Sequence, residues 1–231
     1  MTFHFTILTL FEEMFPGSLG YSLAKKGQER SIWDYQTLQI RNYANDKHKK
    51  VDDTPAGGGA GLVMRADVIG DATEAALKAG AKKPLIYFTP RGNLLTQKRI
   101  REIAQGDGAT LLCGRFEGVD ERVLREYQYE EICIGDYILS GGEPAALVFM
   151  DAVIRLLDGV TGSEESLEDE SFETGLLEYP QYTRPNLWRG QQIPEVLTSG
   201  NHQKVKAWRD AMSEQITKER RPDLWQAFTK D

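Results

Sequence analysis

Short runs of consecutive apolar residues recur along the chain, separated by stretches in which apolar positions return every three or four residues. The runs cover residues 3–9, 84–88, 110–113 and 131–134 and predict buried strands. The stretches at 66–78, 96–104 and 120–125 predict helices, with Thr96 and Asp120 placed to cap two of them. Strands alternating with helices predict an α/β fold around a mostly parallel sheet, of about five or six strands. A further stretch, 145–157, is apolar on nearly every side. Such a helix is buried within its domain or against another subunit. Pro144 suits its first turn, and Asp151 and Arg155 share one of its faces at i, i+4. A charged pair in so apolar a helix is either a structural ion pair or part of a site.

Beyond this helix the pattern changes. Residues 162–173 hold six acids and no base, which leaves little to bury and predicts a flexible linker. Between 184 and 221 the sign reverses, with eight Lys or Arg against four acids, and Trp188, Trp208 and Trp225 lie in or near this stretch. A helix is expected over 202–218 and a short one after Pro222. The expected organisation is an α/β domain over 1–161, an acidic linker over 162–175 and a small helical domain with a basic face over 176–231.

Composition narrows the function classes. The 231 residues are 40% hydrophobic, enough for a sizeable core, and the net charge is −7. A chain that only binds nucleic acid is usually basic overall, so any such contact must rest on local charge: Lys47, Lys49 and Lys50, and the C-terminal basic stretch. Cys113 and Cys133 lie in apolar runs and read as reduced core residues. No run is long enough for a membrane span and the N-terminus lacks the pattern of a signal peptide, so a cytoplasmic protein is expected. Metal and nucleophile signatures are weak. The three histidines, His4, His48 and His202, are far apart, and no HExxH, CxxC or nucleophile elbow occurs.

The chemistry points instead to glycine-bearing loops. "PAGGGAGLVM" at 55–64 matches neither the phosphate loop nor G-x-G-x-x-G; it is a flexible loop or, with its basic flank, a clasp for a polyanion. Three other loops follow predicted strands directly: "YFTPRGN" at 87–93, "CGRFEGVDERV" at 113–123 and "IGDYILSGGE" at 134–143. One such loop is an ordinary turn. Three on one sheet predict a single ligand cradled beyond the carboxyl ends of the strands.

These motifs, with "VDDTPAGGGAGLVM", "GLLEYPQYTRP" and "VLTSGNHQKVKAWR" in order along the chain, resemble those of the bacterial tRNA (guanine-N1)-methyltransferases that modify guanine 37 beside the anticodon. The resemblance covers nearly the whole chain. It implies a knotted fold of the SPOUT type, with a deep trefoil knot closing the C-terminal part of the α/β domain. It also implies S-adenosylmethionine as methyl donor, a homodimer and a magnesium requirement. tRNA and a second copy of the chain are the implied partners; DNA and membranes are not.

Carried over residue by residue, the resemblance assigns the donor to Tyr87, Phe88, Thr89 and Pro90, to Gly114, Phe116 and Glu117, and to the third loop. There it names Cys133, Ile134, Gly135, Asp136, Tyr137, Ile138, Leu139, Ser140, Gly141, Gly142 and Pro144. Asp52, Gly58, Gly59, Arg184, Lys204 and Arg209 are the implied RNA contacts. Arg155 is the implied stabiliser of guanine O6. The family's catalytic aspartate directly precedes a Ser-Phe pair, here Ser171-Phe172. An ungapped reading puts Glu170 at that position, and a local bulge puts Asp169 there. Ile132 stands where the family has tryptophan, and Pro144 comes one residue early. The metal ligands are open among Asp52, Glu117 and the linker acids. The alternatives are a related knotted methyltransferase acting on ribosomal RNA or a ribose 2'-hydroxyl, and a catalytically inactive RNA-binding protein.

Overall fold

The computed structural model describes residues 1–161 and 170–230. The chain divides into two compact units, residues 1–162 and 163–231.

The first unit is built on a five-stranded sheet in the order β2-β1-β6-β5-β7. These strands are β1 (Phe3–Thr9), β2 (Trp33–Gln39), β5 (Leu85–Leu94), β6 (Gly108–Leu112) and β7 (Glu130–Cys133). Every pairing in it is parallel. Two two-residue strands, β3 (Asp52–Asp53) and β4 (Val63–Met64), form a separate antiparallel pair. A parallel sheet must be covered on both faces, and the strands show how. Phe3, Phe5 and Ile7 of β1, Ile86 and Phe88 of β5, and Ala109 and Leu111 of β6 enter one hydrophobic cluster. Leu8, Leu85, Tyr87 and Leu112 enter the other, as the two-residue period of a strand requires. The first cluster is closed by α1 (Ser22–Glu29), α3 (Gln97–Ala104) and α5 (Glu143–Ile154), the second by α2 (Ala66–Lys78) and α4 (Glu121–Glu126).

Helix α2 has the bounds that the periodicity predicts. Thr96 caps α3, its hydroxyl accepting from Arg99 N–H at 3.2 Å, and Asp120 caps α4, accepting from Arg122 N–H at 3.0 Å. Helix α5 starts two residues earlier than expected and ends at Ile154, so Arg155 is its C-cap rather than part of its body. Two strand expectations need correction. β2 has the sequence WDYQTLQ, in which polar residues alternate with apolar ones, and only Trp33 is fully buried. It is an edge strand, and its sequence lacks the continuous apolar run that marks a buried one. β5 does not stop at Thr89: it pairs with β7 through Phe88, departs for residues 89–92, and resumes at Asn93 opposite the same Ile132.

Among the described residues the second unit contains the hairpin strands β8 (Leu187–Trp188) and β9 (Gln191–Gln192) and the helices α6 (Glu195–Thr198), α7 (His202–Arg220) and α8 (Pro222–Phe228). Its small interior is organised by Thr217, which is fully buried. The Thr217 hydroxyl donates to Ser213 O at 2.6 Å and accepts from Leu177 N–H at 2.8 Å.

Candidate active site

The three glycine-bearing loops meet at the carboxyl ends of β5, β6 and β7. The first is the excursion at 89–92, the second runs 113–118, and the third covers 134–142. They line a cavity of about 250 Å³, slightly below the usual range of roughly 300–1,000 Å³ for small-molecule sites.

The glycines explain how the walls come so close. Gly142 N–H donates to Gly114 O at 2.9 Å, and a Cβ on Gly142 would lie 2.8 Å from Cys113 Cα and 3.0 Å from Gly114 N. A Cβ on Gly114 would lie 2.7 Å from the Tyr87 ring. Gly92 packs in the same way against the backbone of Glu131 and Ile132 and so brings the excursion down onto β7. Phe116, on the second loop, holds φ +60°, a conformation that a bulky residue adopts only when its surroundings impose it. Around the cavity lie large apolar side chains that are half exposed or more: Phe116, Tyr137 and Ile138. Such a lip, with backbone carbonyls and amides between its members, suits a planar heterocycle with a polar edge.

Of the predicted donor residues, Tyr87, Phe88, Thr89, Pro90, Gly114, Phe116, Glu117, Cys133, Ile134, Gly135, Tyr137, Ile138, Leu139, Ser140, Gly141 and Gly142 line this one cavity. Asp136 and Pro144 do not line it. Asp136 is exposed to solvent, and Pro144 lies in the first turn of α5, where its ring starts the helix. Arg115, Gly118, Ile132 and Ala145 line the cavity and were not among the predicted residues. Arg115 and Gly118 belong to a motif already singled out, and their neighbours were the signal. Burial raises the pKa of the Tyr87 hydroxyl, and burial, reinforced by the Glu143 carboxylate, holds the Cys113 thiol well above its ordinary range. Cys113 is therefore a poor nucleophile, and it is a fully buried core residue.

The predicted catalytic residues lie elsewhere. Arg155 lines a different cavity, with Tyr21, Leu23, Leu147, Val148 and Asp151, along α5. Asp151 and Arg155 thus share a cavity as well as a helix face. Glu170 belongs to the second unit, in a cavity with Glu178, Asp210 and Glu214. Asp169 lies outside the described residues.

The predicted RNA contacts fall into two groups. Asp52 pairs with Met64 in the β3–β4 hairpin. Gly58 and Gly59 have φ +84° and +126°, and a Cβ on either would meet nothing within 4 Å, so this loop is open. At its far end Gly61 packs against the Glu117 side chain, which joins the open loop to the cavity wall. Of the three lysines before it, Lys49 is engaged with Ala44 O at 2.8 Å. In the second unit Arg184 and Lys204 are exposed. The Arg209 guanidinium lies 4.7 Å from the Tyr179 ring centroid, so this cation also holds its own unit together. Among the described residues no three His, Cys, Asp or Glu side chains gather as metal ligands, so Asp52 and Glu117 form no such centre.

Fold and cavity together define an α/β protein with a cavity of small-molecule scale walled by glycine-bearing loops near the ends of parallel strands. The model of the family tRNA (Guanine-1)-methyltransferase TrmD matches residues 3–227. The chain is 58% identical over 228 residues to a tRNA (guanine-N(1)-)-methyltransferase of Chelativorans sp. (strain BNC1), covering 99% of this chain and 97% of that one. A protein of the same name from Mesorhizobium japonicum is 59% identical, with 97% of each chain covered. One from Brucella ovis is 57% identical, with 99% and 94% covered. The chain belongs to the tRNA (guanine-1)-methyltransferase family.

Proposed function

We propose that this protein transfers a methyl group from S-adenosylmethionine to N1 of guanine 37 in tRNA, beside the anticodon. The observation that carries the reading is the convergence of the three motif-bearing loops on one cavity in a member of this family. The cavity suits the donor: the Gly142–Cys113 approach leaves no room for a side chain, and Phe116, Tyr137 and Ile138 offer exposed apolar cover. When bound, the donor supplies an electrophilic methyl group on a sulfonium.

The protein's task is then to make guanine N1 nucleophilic, and that nitrogen carries a proton. A carboxylate of the linker, Glu170 or Asp169, takes that proton as general base. Arg155 holds the negative charge that develops at O6. The open loop at Gly58 and Gly59, with Asp52 at its base, and the basic side chains Arg184, Lys204 and Arg209 bind the tRNA while the target base leaves its stack. We assign residues 1–161 to donor binding, 162–175 to the linker and 176–231 to tRNA binding. A magnesium requirement, which the family resemblance implies, has no gathered ligand set among the described residues, and no step is assigned to it.

A trefoil knot formed by the third loop passing behind the second is part of this reading. It is supported by Gly142 bonding to Gly114 O while the 89–92 excursion folds over β7. A homodimer is part of it too, because Arg155 lines a cavity other than the donor's. No helix among the described residues is long and apolar enough to cross a membrane, and a tRNA substrate fits a cytoplasmic location. Incubation with labelled donor and unmodified tRNA, followed by nucleoside analysis, tests the activity. N1-methylguanosine at position 37 is expected. A different methylated nucleoside, or tRNA binding without transfer, overturns the reading.

A further inference from the structure

Glu143 is the one acidic side chain among the described residues with no exposure to solvent. It stands in the first turn of α5, directly behind the cavity wall. A buried carboxylate is tolerated only when it is paired, and its partners come from two separate elements. The Thr9 hydroxyl, at the end of β1, donates to Glu143 Oε1 at 2.8 Å. Arg115 Nη2 lies 2.8 Å from Oε2. That contact is one of charge rather than of a well-directed hydrogen bond, since neither Oε2 nor Arg115 Nε has a hydrogen-bond partner among the described residues.

Arg115 is only partly buried, but its Nε is fully buried with an unmade hydrogen bond, and that calls for an explanation. The rest of Arg115 supplies one. Its Cζ lies 4.3 Å from the Phe11 ring centroid, and its Nη1 donates to Ser140 O at 3.3 Å, on the third loop. The next residue, Gly141, backs directly onto the guanidinium, so that a Cβ there would overlap Arg115 Nε. The one after it, Gly142, is bonded to Gly114, the neighbour of Arg115. The guanidinium is thus set between a fixed charge on α5 and the loop that closes the cavity.

We propose that Glu143 and Arg115 act as a positioning pair for the donor. Glu143, anchored by Thr9, fixes Arg115, and Arg115 holds residues 140–142 in place so that the cavity is formed before the donor arrives. The inference rests on reading this cavity as the donor site. Its physical gain is preorganisation: a wall already ordered does not have to be ordered at binding.

The test is calorimetric titration of S-adenosylmethionine into the full-length protein and its variants, with thermal unfolding and steady-state methylation of tRNA alongside. Glu143→Gln keeps the shape and an oxygen for Thr9 but removes the charge that holds Arg115. Arg115→Lys keeps the charge but removes the fork that spans Glu143 and Ser140. Each is expected to raise both the donor Kd and the donor KM about tenfold or more, the scale of one lost charge-assisted hydrogen bond, while kcat at saturating donor changes far less. The double variant is expected to bind no worse than the weaker single, because the two residues form one unit. Unchanged donor affinity in both singles overturns the proposal. So does a loss of affinity that only follows the loss of folded protein, since the pair is then structural. If Glu143→Gln does not fold, Arg115→Lys carries the test alone. Leu139→Arg separates the two readings. If it binds donor like the wild type, the cavity assignment itself is wrong; if it abolishes binding while the pair variants do not, the positioning role alone is wrong.

Discussion

Gly142 shows how much one missing methyl group decides. Its Cα faces the backbone of Cys113 and Gly114, so valine there forces the second and third loops apart and fills the space between them. Gly142→Val is expected to reduce donor affinity below detection by calorimetry; unchanged affinity removes these loops from the donor site. Arg155 has the opposite profile, because it lies away from the cavity wall. Arg155→Ala is expected to lower the methylation rate by about 10²–10³-fold, as for loss of one oxyanion donor, with donor affinity kept. Parallel loss of rate and thermal stability would mark it as a structural cation. The base assignment rests on two adjacent acids, and single-turnover rates of Glu170→Ala and Asp169→Ala rank them. The ungapped motif predicts the larger loss for Glu170, and the reverse ranking shows that the bulged alignment holds. Glu143 is the residue that sequence reasoning had least chance of finding. An acid in the first turn of a helix is ordinarily a solvated group that favours the dipole, and nothing local distinguishes a buried one. The available signal was its place at the head of an apolar helix, with an arginine waiting in another motif.

At the scale of elements, legibility followed the range of the forces involved. Helix caps are set by neighbours two or three residues away, and Thr96 and Asp120 were readable for that reason. Replacing Asp120 by alanine removes the acceptor for Arg122 N–H and is expected to cost about 1 kcal/mol, read from the midpoint of urea unfolding; no change would mean that packing of Val123 and Leu124 alone holds α4. The four-residue excursion of β5 was not readable, because it exists only through pairing with β7, some forty residues on. The cavity was legible as a set of loops but not as an enclosure, since Gly92 and Gly142 act through backbone that is distant in sequence. The outer side of α5 was legible as apolar, and Val148 there is 53% exposed.

At the scale of the molecule, that exposed side and the separate Arg155 cavity bear on how the active site is assembled. In the proposed homodimer a second copy covers Val148, and the linker carboxylate of one chain is proposed to serve the donor cavity of the other. Gly142→Val supplies an intact base and no donor cavity, and a variant with Asp169 and Glu170 both changed to alanine supplies the converse. Each is expected to be inactive alone. Unfolded and refolded together, they are expected to regain activity through mixed dimers with one complete site. Mixed dimers confirmed by mass spectrometry but inactive would show that each chain completes its own site.

The strand order has a consequence for how the chain is made. β1 lies between β2 and β6, and about 100 residues separate the end of β1 from the start of β6. At about 5–20 residues per second of synthesis, the ribosome takes on the order of 5–20 s to deliver the second neighbour of β1. Until β6 is made, β1 lacks one of its two neighbours in the sheet, and an unpaired strand edge is open to pairing with another chain. The apolar segment Phe3–Thr9 is thus made early and gains its second neighbour in the sheet late.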